Sequence, residues 1–403
     1  MSSKVDLNKF RKIIPTELEE FSSILIGWGF RLTLVGGAVR DFALYGTLSN
    51  DLDFEVRSIE SINEDKWGSK FKDLSNRISS LDGSFVEVLR FNIIRVRYKG
   101  IDLEISSPRV EVYDQTKSEF GHSDFSVSYS SNYSYKESFS RRDFTINSLG
   151  IEFGDELNFI DPFNGLKDIE DKTLDFINED FFKDPVRFLR ALRFKVSHKL
   201  ELSRALKDDL VYFNLEKLSL HYFKQEGKKI GLEKLAFEMD FARRKFSSKR
   251  PAWASQFHEL SLSSLPSCST VSELLMNYSI RTQAKLEVIE KLGADLELKK
   301  SVIKSISYLR LIYQINLKDF KDVIQKLSFQ EVTEKEEFIA ICKVHKEFEK
   351  LPKEVLDFFL SKETIKLLDM PVEKDSLYRE ILPTISKSQI SMLGIYCHLI
   401  KLL

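Results

Sequence analysis

The sequence contains few of the residues that connect short strands in β-rich proteins. Of its 403 residues only 16 are Gly and 9 are Pro, which together is roughly half of the usual share. This scarcity argues against an all-β protein and predicts long helices. Hydrophobic residues nevertheless make up 42% of the chain and charged residues 31%, so the composition supports a buried core and excludes a disordered chain.

Cysteine, net charge and long apolar runs are scarce as well. The three cysteines lie far apart and form no Cys-x-x-Cys pair, which excludes a thiol-rich zinc site and a disulfide scaffold. A net charge of −1 excludes a basic coat over the whole chain, but it leaves room for a local basic groove. Because no apolar stretch approaches the ~18 residues of a membrane span and the N-terminus does not resemble a signal peptide, we expect a cytoplasmic protein that contacts no membrane.

The hydrophobic pattern changes along the chain. Residues 1–30 are predicted to form a helix, and strands and helices then alternate up to residue 150. A polar stretch over 113–136 lacks helical periodicity and is predicted to be a mobile loop. After Pro185 the pattern is helical almost to the end. The predicted fold class is therefore α+β, with a head that contains a mixed β-sheet followed by helices.

A glycine turn followed by an arginine is the first candidate anion site. The run LVGGAVRD (34–41) is typical of a strand that ends at Gly36 and Gly37 before a helix begins. Glycines let backbone N–H groups approach an anion closely, and the helix dipole adds to the attraction. Arg40 lies about one turn into that helix, where it could pair with a phosphate. A tight turn without a ligand is the alternative interpretation.

Two carboxylates at the start of the next strand predict a metal site. Asp51 and Asp53 are two residues apart, so in a strand both side chains project from one face. Neighbouring ionised carboxylates repel unless a cation lies between them, and Mg²⁺ takes such ligands and bridges to phosphates. Glu104, in the strand IDLEIS (101–106), is a candidate third acid. The alternatives are a solvated turn for the pair and a solvated hairpin position for Glu104.

A third run combines two arginines with an acid. Arg141, Arg142 and Asp143 precede a β-like segment. Adjacent arginines suit a triphosphate, and a carboxylate beside them could hold a ribose hydroxyl. The alternative is a surface salt bridge with a helix cap.

A helix with a cationic stripe follows. Arg187, Arg190 and Arg193 recur at every third residue, so they lie along one face of a helix. A solvated face would normally mix charges of both signs, and the stripe therefore indicates an anionic partner. Asp184 and Pro185 suit the N-cap and first turn of this helix, and capping could be the whole role of Asp184.

Taken together, these runs resemble the class II nucleotidyltransferases, the family of the tRNA CCA-adding enzymes and bacterial poly(A) polymerases. Five blocks occur in the family's order and at similar spacings, apart from a longer gap between the second and the third. The blocks are GGAVRD (36–41), DLD (51–53), RRDFTIN (141–147), DPFNGLKD (161–168) and KDPVRFLRALRF (183–194).

The resemblance implies a domain organisation and a catalytic pair. Residues 1–150 would form the nucleotidyltransferase head, 151–245 a helical neck that recognises the base, and 246–403 a helical body and tail that binds tRNA. Asp51 and Asp53 would be the catalytic residues and the Mg²⁺ ligands, with Glu104 as a candidate third ligand. Two-metal catalysis activates the terminal hydroxyl of the primer and neutralises the leaving pyrophosphate.

The resemblance also implies a nucleotide site built from the other blocks. The glycine turn and Arg40 would hold the triphosphate, the Arg-Arg-Asp run would contact phosphate and ribose, and the cationic helix would read the base and support the primer. The base readers would be Asp184 and Arg187. In chain order the nucleotide-binding residues are Gly36, Gly37, Arg40, Arg141, Arg142, Asp143, Asp184, Arg187, Arg190 and Arg193.

The sequence departs from the family's pattern in two places. Lys183 stands where the base-reading block usually begins with Glu, which inverts a charge beside the base readers. The run LSLHYFKQEGKK (218–229) corresponds to a block that usually reads LSxERIxxEL. Glu226 matches its later acid, but His221 and Tyr222 replace its Glu-Arg pair, so we expect altered packing in the neck.

The sequence thus predicts a template-independent nucleotidyltransferase that adds CCA, or part of it, to tRNA 3′ ends from CTP and ATP. Its partners would be tRNA, CTP and ATP, its cofactor Mg²⁺, and its state a monomer or homodimer. A poly(A) polymerase is the alternative within the family, although the mostly apolar run over 385–403 lacks the basic character that general RNA affinity needs. A catalytically silent RNA-binding module is the alternative from another class, and intact Asp51 and Asp53 argue against it.

Overall fold

The computed structural model divides the chain into two compact units, the first running to Lys217 and the second beginning at Leu218. The residues that the structure describes are 5–114, 116, 120–122, 124–242, 251, 253, 268, 270–282, 284–300, 302, 303 and 306. The domain boundaries predicted near residues 150 and 245 stay predictions. The body and tail predicted over 246–403 lie mostly outside the described residues.

A seven-stranded mixed sheet forms the core of the first unit. Its strands run in the order β3-β4-β5-β2-β1-β8-β9, and only the β2–β5 pair within it is parallel. The remaining strands form two small pairs, β6 with β7 and β10 with β11. In chain order the strands are β1 (Phe30–Val35), β2 (Leu52–Ser58), β3 (Ser84–Leu89), β4 (Ile93–Tyr98), β5 (Ile101–Ser106), β6 (Arg109–Val112), β7 (Ser126–Tyr129), β8 (Gly150–Glu152), β9 (Asn158–Ile160), β10 (Thr173–Leu174) and β11 (Glu201–Leu202).

Helices surround this sheet and make up most of the rest of the described chain. The predicted α+β fold class is therefore confirmed. The helices of the first unit are α1 (Leu7–Ile13), α2 (Thr16–Gly27), α3 (Gly37–Tyr45), α4 (Glu64–Ser79), α5 (Tyr135–Phe139), α6 (Gly165–Glu170), α7 (Pro185–His198) and α8 (Arg204–Asp209). Those of the second unit are α9 (Leu220–Gly227), α10 (Leu232–Ala242), α11 (Val271–Thr282) and α12 (Leu286–Asp295).

Strand β2 has one apolar face and one face that carries acidic side chains. Leu52, Phe54 and Val56 are buried on one face, as successive side chains of a strand point to opposite sides. Asp53 and Glu55 therefore lie on the other face. The alternation of strands and helices predicted after residue 30 is present up to residue 106, as strands β1 to β5 with helices α3 and α4 between them.

Two predictions of local structure are wrong. The helix predicted over 1–30 is two helices, because Pro15 has no N–H to donate and lies in the extended region at the start of α2. The loop predicted over 113–136 contains strand β7 and the first residues of α5. Val127 and Tyr129 alternate with exposed serines in β7. The strand is only four residues long, so this alternation does not stand out in a serine-rich stretch.

The DPFNGLKD block braces the segment that follows the Arg-Arg-Asp run. Both carboxylate oxygens of Asp161 accept hydrogen bonds from the N–H groups of Gly165 and Leu166, at 2.7 and 3.0 Å. Asp168 accepts a hydrogen bond from the Thr145 hydroxyl at 2.5 Å. Two acids of this block thus fix α6 against the turn over 145–147.

The regular elements among the described residues of the second unit are helices. Helix α9 forms over the run that departs from the family's pattern, with His221 exposed and Phe223 buried. The buried carboxylate of Glu226 lies 2.8 Å from the Lys229 ammonium. Among the helices of the described residues, none combines the length and apolar character that a bilayer crossing demands.

We predict that Gly165→Ala lowers the free energy of unfolding by about 1–3 kcal/mol, the usual cost of overpacking. A Cβ at this position would collide with the carbonyl oxygen of Thr145, which is backbone and cannot move aside cheaply. Urea denaturation followed by circular dichroism measures the change.

The matched control is Gly68→Ala, inside helix α4, where a Cβ would meet no atom within 4 Å. This substitution should raise the free energy of unfolding by about 0.5–1 kcal/mol, because alanine loses less backbone entropy on folding. Equal effects of the two substitutions would contradict the packing of α6 described above.

Candidate active site

The glycine turn between β1 and α3 holds an arginine from elsewhere in the chain. Gly36 caps α3 with φ at +77°, in the region that favours glycine. A Cβ on Gly36 would lie 2.6 Å from Nη1 of Arg142. The backbone therefore favours glycine at this position, and the guanidinium of Arg142 occupies the space where a side chain would begin. Gly37 follows as the first residue of α3.

The carboxylate pair lies beside this turn. Asp51 is exposed just before β2, and Asp53 is half-buried within it. Burial, followed by the negative charge of Asp51, raises the pKa of Asp53, while Arg142 and Arg141 act in the opposite direction. The predicted pair thus interacts electrostatically, and it does so within reach of the Arg-Arg-Asp run.

Glu104 also lies next to Asp53, since the parallel pairing of β2 and β5 sets the two residues opposite each other. Its carboxylate is already engaged, because Arg95 donates to Oε1 from Nη2 at 2.7 Å and from Nε at 3.1 Å. The structure therefore places the candidate third acid beside the pair, with an arginine attached to it.

The residues present fit a magnesium ion. Within the described part of the chain, no group of three or more His, Cys, Asp or Glu side chains could hold a metal. Mg²⁺ usually takes one or two carboxylates and fills its remaining positions with water and substrate phosphates. Asp51 and Asp53 offer such a donor set, and a cation would relieve the repulsion that raises the pKa of Asp53.

A buried ion pair continues the same face of β2. Glu55, with 1% of its surface exposed, accepts hydrogen bonds from Nε of Arg57 at 3.0 Å and from the Ser138 hydroxyl at 3.1 Å. Arg57 in turn donates to Ser138 at 2.9 Å and to the carbonyl of Tyr133. Since α5 ends just before Arg141, this pair ties the strand that carries Asp53 to the Arg-Arg-Asp run.

A cluster of buried arginines lies beside Asp53 and Glu55. The carboxylate of Glu111, on β6, lies 3.6 Å from Arg109, 3.9 Å from Arg141 and 3.8 Å from Arg187. Burial, followed by the neighbouring charges of Arg109 and Arg142, lowers the pKa of Arg141 to about 9. Burial also lowers the pKa of Arg142. The cluster thus gathers several buried guanidiniums around Glu111, with Glu55 also acting on Arg141 and Arg142.

Several donors of this cluster are unused. Nε of Arg109, Nε of Arg141, Nε of Arg142 and Nη1 of Arg187 are buried and have no hydrogen-bond partner among the described residues. Buried unpaired donors on cations are costly, and an anion with several acceptor oxygens would satisfy them. The cluster can therefore bind a polyanion.

Asp143 occupies the centre of a buried polar chain. Its Oδ1 accepts from the Asn147 amide at 2.8 Å, and its Oδ2 accepts from Nε of Arg190 at 2.6 Å. Burial opposes ionisation, but Arg190, Asn147 and Arg187 lower the pKa of Asp143 to about 2. Asn147 accepts from Nη1 of Arg40 at 2.7 Å, so the chain links Arg40 to Arg190.

Asp184 has the capping role and a second contact at the same time. Its Oδ1 accepts from the N–H of Val186 at 2.9 Å at the start of α7, and its Oδ2 lies 3.0 Å from Nδ1 of His122. Nε of Arg187 is 3.9 Å from the same Oδ2. Hydrogen bonding to Asp184 raises the pKa of His122. The two predicted base readers are thus adjacent.

Lys183, which stands where the family usually has Glu, contacts one acid and two aromatic rings. Its ammonium lies 2.7 Å from Asp180 and above the rings of Tyr113 and Phe120, at 5.1 and 5.7 Å from their centroids. Asp180 therefore neutralises the charge that the sequence sets beside Asp184.

The arginine stripe of α7 divides among different partners. Arg187 is buried and donates to the carbonyl of Arg141 at 2.6 Å, whereas Arg190 binds Asp143. Cζ of Arg193 lies 4.2 Å from the ring centroid of Phe194. Sequence reasoning missed Arg109, Glu111 and His122, which belong to the stretch taken for a loop or border it.

Comparison with known proteins gives one matching family model. It is described as the poly A polymerase head domain and matches residues 32–175. The matched segment contains the glycine turn, the carboxylate pair and the Arg-Arg-Asp run, and it ends before α7.

Curated relatives match over about half of the chain or less. A CCA-adding enzyme of Blochmanniella floridana is 28% identical over 191 residues, 42% of this chain and 41% of the relative. A CCA-adding enzyme of Lactobacillus helveticus is 28% identical over 211 residues, 51% and 47% of the two chains. An A-adding tRNA nucleotidyltransferase of Aquifex aeolicus is 33% identical over 180 residues, 43% and 19%. The chain spans less than half of the length of each of these relatives.

Solved structures match over nearly the whole chain. The complex of a CCA-adding enzyme with CTP has a TM-score of 0.59 at 18% identity and covers 99% of this chain and 94% of its own. The complex of the Bacillus stearothermophilus CCA-adding enzyme with CTP has a TM-score of 0.53 at 18% identity, with 96% of each chain covered. At this level of identity the likeness shows the fold.

We predict that Asp53→Asn raises the melting temperature at neutral pH in the absence of divalent cations. The folded-state pKa of Asp53 lies above its ordinary value, so ionised Asp53 destabilises the fold at any pH above the unfolded pKa. A neutral amide removes this penalty, and about 2 °C is expected for a change of order 1 kcal/mol in a unit of this size. Differential scanning calorimetry measures the shift.

The control is Asp102→Asn, since the hydrogen bond from Arg97 lowers the pKa of Asp102. This substitution should leave the melting temperature unchanged or lower it. The gain from Asp53→Asn should also shrink as the pH falls and the wild-type carboxyl becomes protonated. A lower melting temperature for Asp53→Asn at neutral pH would contradict the electrostatic description of the pair.

Proposed function

We propose, from the premise that residues 32–175 belong to the poly A polymerase head-domain family of nucleotidyltransferases, that this protein adds CCA or part of it to tRNA 3′ ends from CTP and ATP. One observation carries the proposal. Asp53 of the carboxylate pair interacts electrostatically with Asp51 and with Arg142, and Arg142 lies against the glycine turn at Gly36. Metal ligands, a triphosphate cation and a backbone anion site thus meet at one place, and the relatives named for tRNA nucleotide addition supply the substrate class.

The catalytic step follows from these positions. Asp51 and Asp53 would hold Mg²⁺, which would supply Lewis acidity for the primer hydroxyl and for the leaving pyrophosphate. Arg142 and Arg141 bind the triphosphate through the N–H groups that have no partner among the described residues. Because these guanidiniums are buried and fixed in place before substrate arrives, they lose little orientational freedom when it binds.

Base choice is assigned to Asp184 and Arg187. A carboxylate only accepts hydrogen bonds and a guanidinium only donates them. Cytosine and adenine both present an amino donor beside a ring acceptor, which matches one acid next to one arginine. Uracil and guanine present the opposite order, so they would leave buried groups unpaired, and sites of this kind can discriminate by around 10⁴-fold.

Asp143 supports the site through its neighbours. Both of its oxygens are occupied by Asn147 and Arg190, so we assign it the orientation of Arg40 and Arg190 in addition to the ribose contact that the resemblance implies. The remaining elements of the proposal are cytoplasmic localisation and a state of monomer or homodimer.

Poly(A) addition is the second candidate, favoured by the description of the matching head domain. Mg²⁺-dependent incorporation of labelled CTP and ATP separates the two functions. A CCA-adding enzyme incorporates CTP into tRNA that lacks its 3′ end and stops after completion. A poly(A) polymerase extends unrelated RNA with ATP alone, and a silent RNA-binding module incorporates nothing.

We predict that Asp51→Ala and Asp53→Ala each reduce nucleotide addition by at least about 10³-fold, because each removes a ligand of the activating metal. Addition should be measured at saturating Mg²⁺ with circular dichroism as the check on folding. Thermal denaturation gives a second readout, since Mg²⁺ should raise the melting temperature of the wild type more than that of either variant.

The comparison variant is Glu104→Gln. This variant should retain activity if Glu104 serves only as the partner of Arg95. It should lose activity, as Asp51→Ala and Asp53→Ala do, if Glu104 is a third metal ligand. Near-normal turnover of both alanine variants would remove Asp51 and Asp53 from the catalytic machinery.

We predict that Arg187→Ala and Asp184→Asn relax base choice, so that UTP or GTP competes with CTP and ATP. Asparagine is as good an N-cap as aspartate, so Asp184→Asn preserves the start of α7 while changing the group that faces the base. Incorporation of each of the four nucleotides on tRNA ending in its discriminator base gives the selectivity.

Asp184→Ala serves as the second arm of that measurement, since it removes the cap together with the carboxylate. If Asp184→Asn keeps the wild-type selectivity and only the alanine variant slows, with all nucleotides slowed alike, Asp184 is a helix cap. Arg187 becomes a phosphate contact if its variant slows all four nucleotides equally.

A further inference from the structure

Three guanidinium groups surround a single buried ring. Cζ of Arg193, Arg40 and Arg190 lies 4.2, 5.0 and 5.4 Å from the ring centroid of Phe194. The ring is 2% exposed. From the sequence alone Phe194 is one apolar residue on a cationic helix, whereas in the structure it is what these three arginines have in common.

The arginines come from two different elements. Arg40 lies on α3, directly after the glycine turn, and Arg190 and Arg193 lie on α7. To act together on one polyphosphate, Arg40 on α3 and the two arginines on α7 must hold fixed positions relative to each other. Phe194 is in contact with all three.

The ring opposes the mutual repulsion of these charges. A cation above an aromatic face gains about 0.5–1 kcal/mol when exposed and about 2 kcal/mol when desolvated. Asp143 binds Arg190, and Asp41 binds Arg40 at 2.7 Å, so each of these guanidiniums is held between a carboxylate and the ring. Their orientation is thereby fixed before any ligand arrives.

The ring itself is held in place. Phe144 packs against it with the centroids 5.1 Å apart, and His198 lies at the same distance on α7. Burial, and then the charge of Arg40, lowers the pKa of His198 to about 4. His198 is therefore neutral at pH 7 and adds no fourth positive charge to the group.

We propose that Phe194 is a positioning residue that holds Arg40, Arg190 and Arg193 as one cluster for the polyphosphate of the substrate. The inference rests on the proposed nucleotidyl transfer and deepens it by naming an aromatic group that joins the glycine-turn helix to α7, in addition to the polar chain through Asn147 and Asp143. Phe194 acts through the arginines and touches no substrate. Its loss should therefore weaken nucleotide binding more than it slows the chemical step.

The experiment compares Phe194→Leu with Phe194→Tyr. Leucine keeps an apolar side chain but has no aromatic face, so KM for both CTP and ATP should rise about tenfold with kcat within about threefold of the wild type. Tyrosine keeps the face and should restore KM to within about twofold. An equal rise in KM for both variants, or an unchanged KM for leucine, would overturn the proposal.

The matched control is Phe181→Leu. Phe181 is fully buried and packs against Phe144, as Phe194 does, but its described ring contacts are with other phenylalanines. Its replacement should lower stability without changing KM. A rise in KM for Phe181→Leu as large as for Phe194→Leu would show that general loosening of the core accounts for the effect.

A fluorination series keeps the proposal testable if Phe194→Leu does not fold. Mono-, di- and trifluorophenylalanine at position 194 preserve the shape of the ring while weakening its attraction for cations stepwise. KM should rise with each added fluorine. A flat series in folded protein would overturn the proposal.

Binding of inorganic tripolyphosphate by calorimetry separates this inference from the proposed function. If the wild type binds tripolyphosphate but transfers no nucleotide, the proposed function fails, and the fluorination series read by tripolyphosphate affinity still tests Phe194. If the wild type transfers nucleotides and the series is flat in both KM and affinity, only the role of Phe194 fails.

Discussion

The burial of positive charge in the head is the constraint on which the rest of the site depends. Arg109, Arg141, Arg142 and Arg187 are largely withdrawn from water, and burial lowers the pKa of Arg141 and Arg142. Withdrawn cations destabilise a fold unless acids or ligands lie close by. Glu111 compensates only part of this charge, since it lies 3.6–3.9 Å from three arginines. Within the described residues, each of the four arginines also keeps a buried N–H group without a hydrogen-bond partner, beside the carboxylate pair.

Local spacing is sufficient to predict much of this arrangement. The alternation of DLDFEV predicts the strand and the side of it on which Asp53 lies, because side-chain direction in a strand is a short-range property. The same holds for Gly36, where a strand ends and a helix begins, and for Asp184 before Pro185. Asp51 is predicted in the same strand as Asp53, but β2 begins one residue later, at Leu52. The order of the five blocks predicts the family, and the poly A polymerase head-domain model matches residues 32–175, which contain the first four blocks.

Partners across the chain could not be predicted in this way. Glu55 meets Ser138, and His122 meets Asp184, over separations of 83 and 62 residues, so no periodicity contains these contacts. The influence of Lys183 on base reading was uncertain from the sequence, because its neutralisation by Asp180 depends on how the turn over 179–183 folds. The stretch over 113–136 concealed strand β7 because its serines mask the alternation. Tertiary contacts decide each of these cases.

The alternation in strand β2 also couples correct folding of the core to correct assembly of the active site. A shift of its pairing by one residue would turn Phe54 outward and bury Asp53, because alternate residues occupy opposite faces. Chains with that error would lose much of their apolar core and would be exposed to proteolysis. Degradation that recognises only poor packing would therefore also remove chains with a misassembled catalytic face. A chain that survives because its core is well packed therefore also has Asp53 on the correct face of β2, and no separate check of the active site is needed.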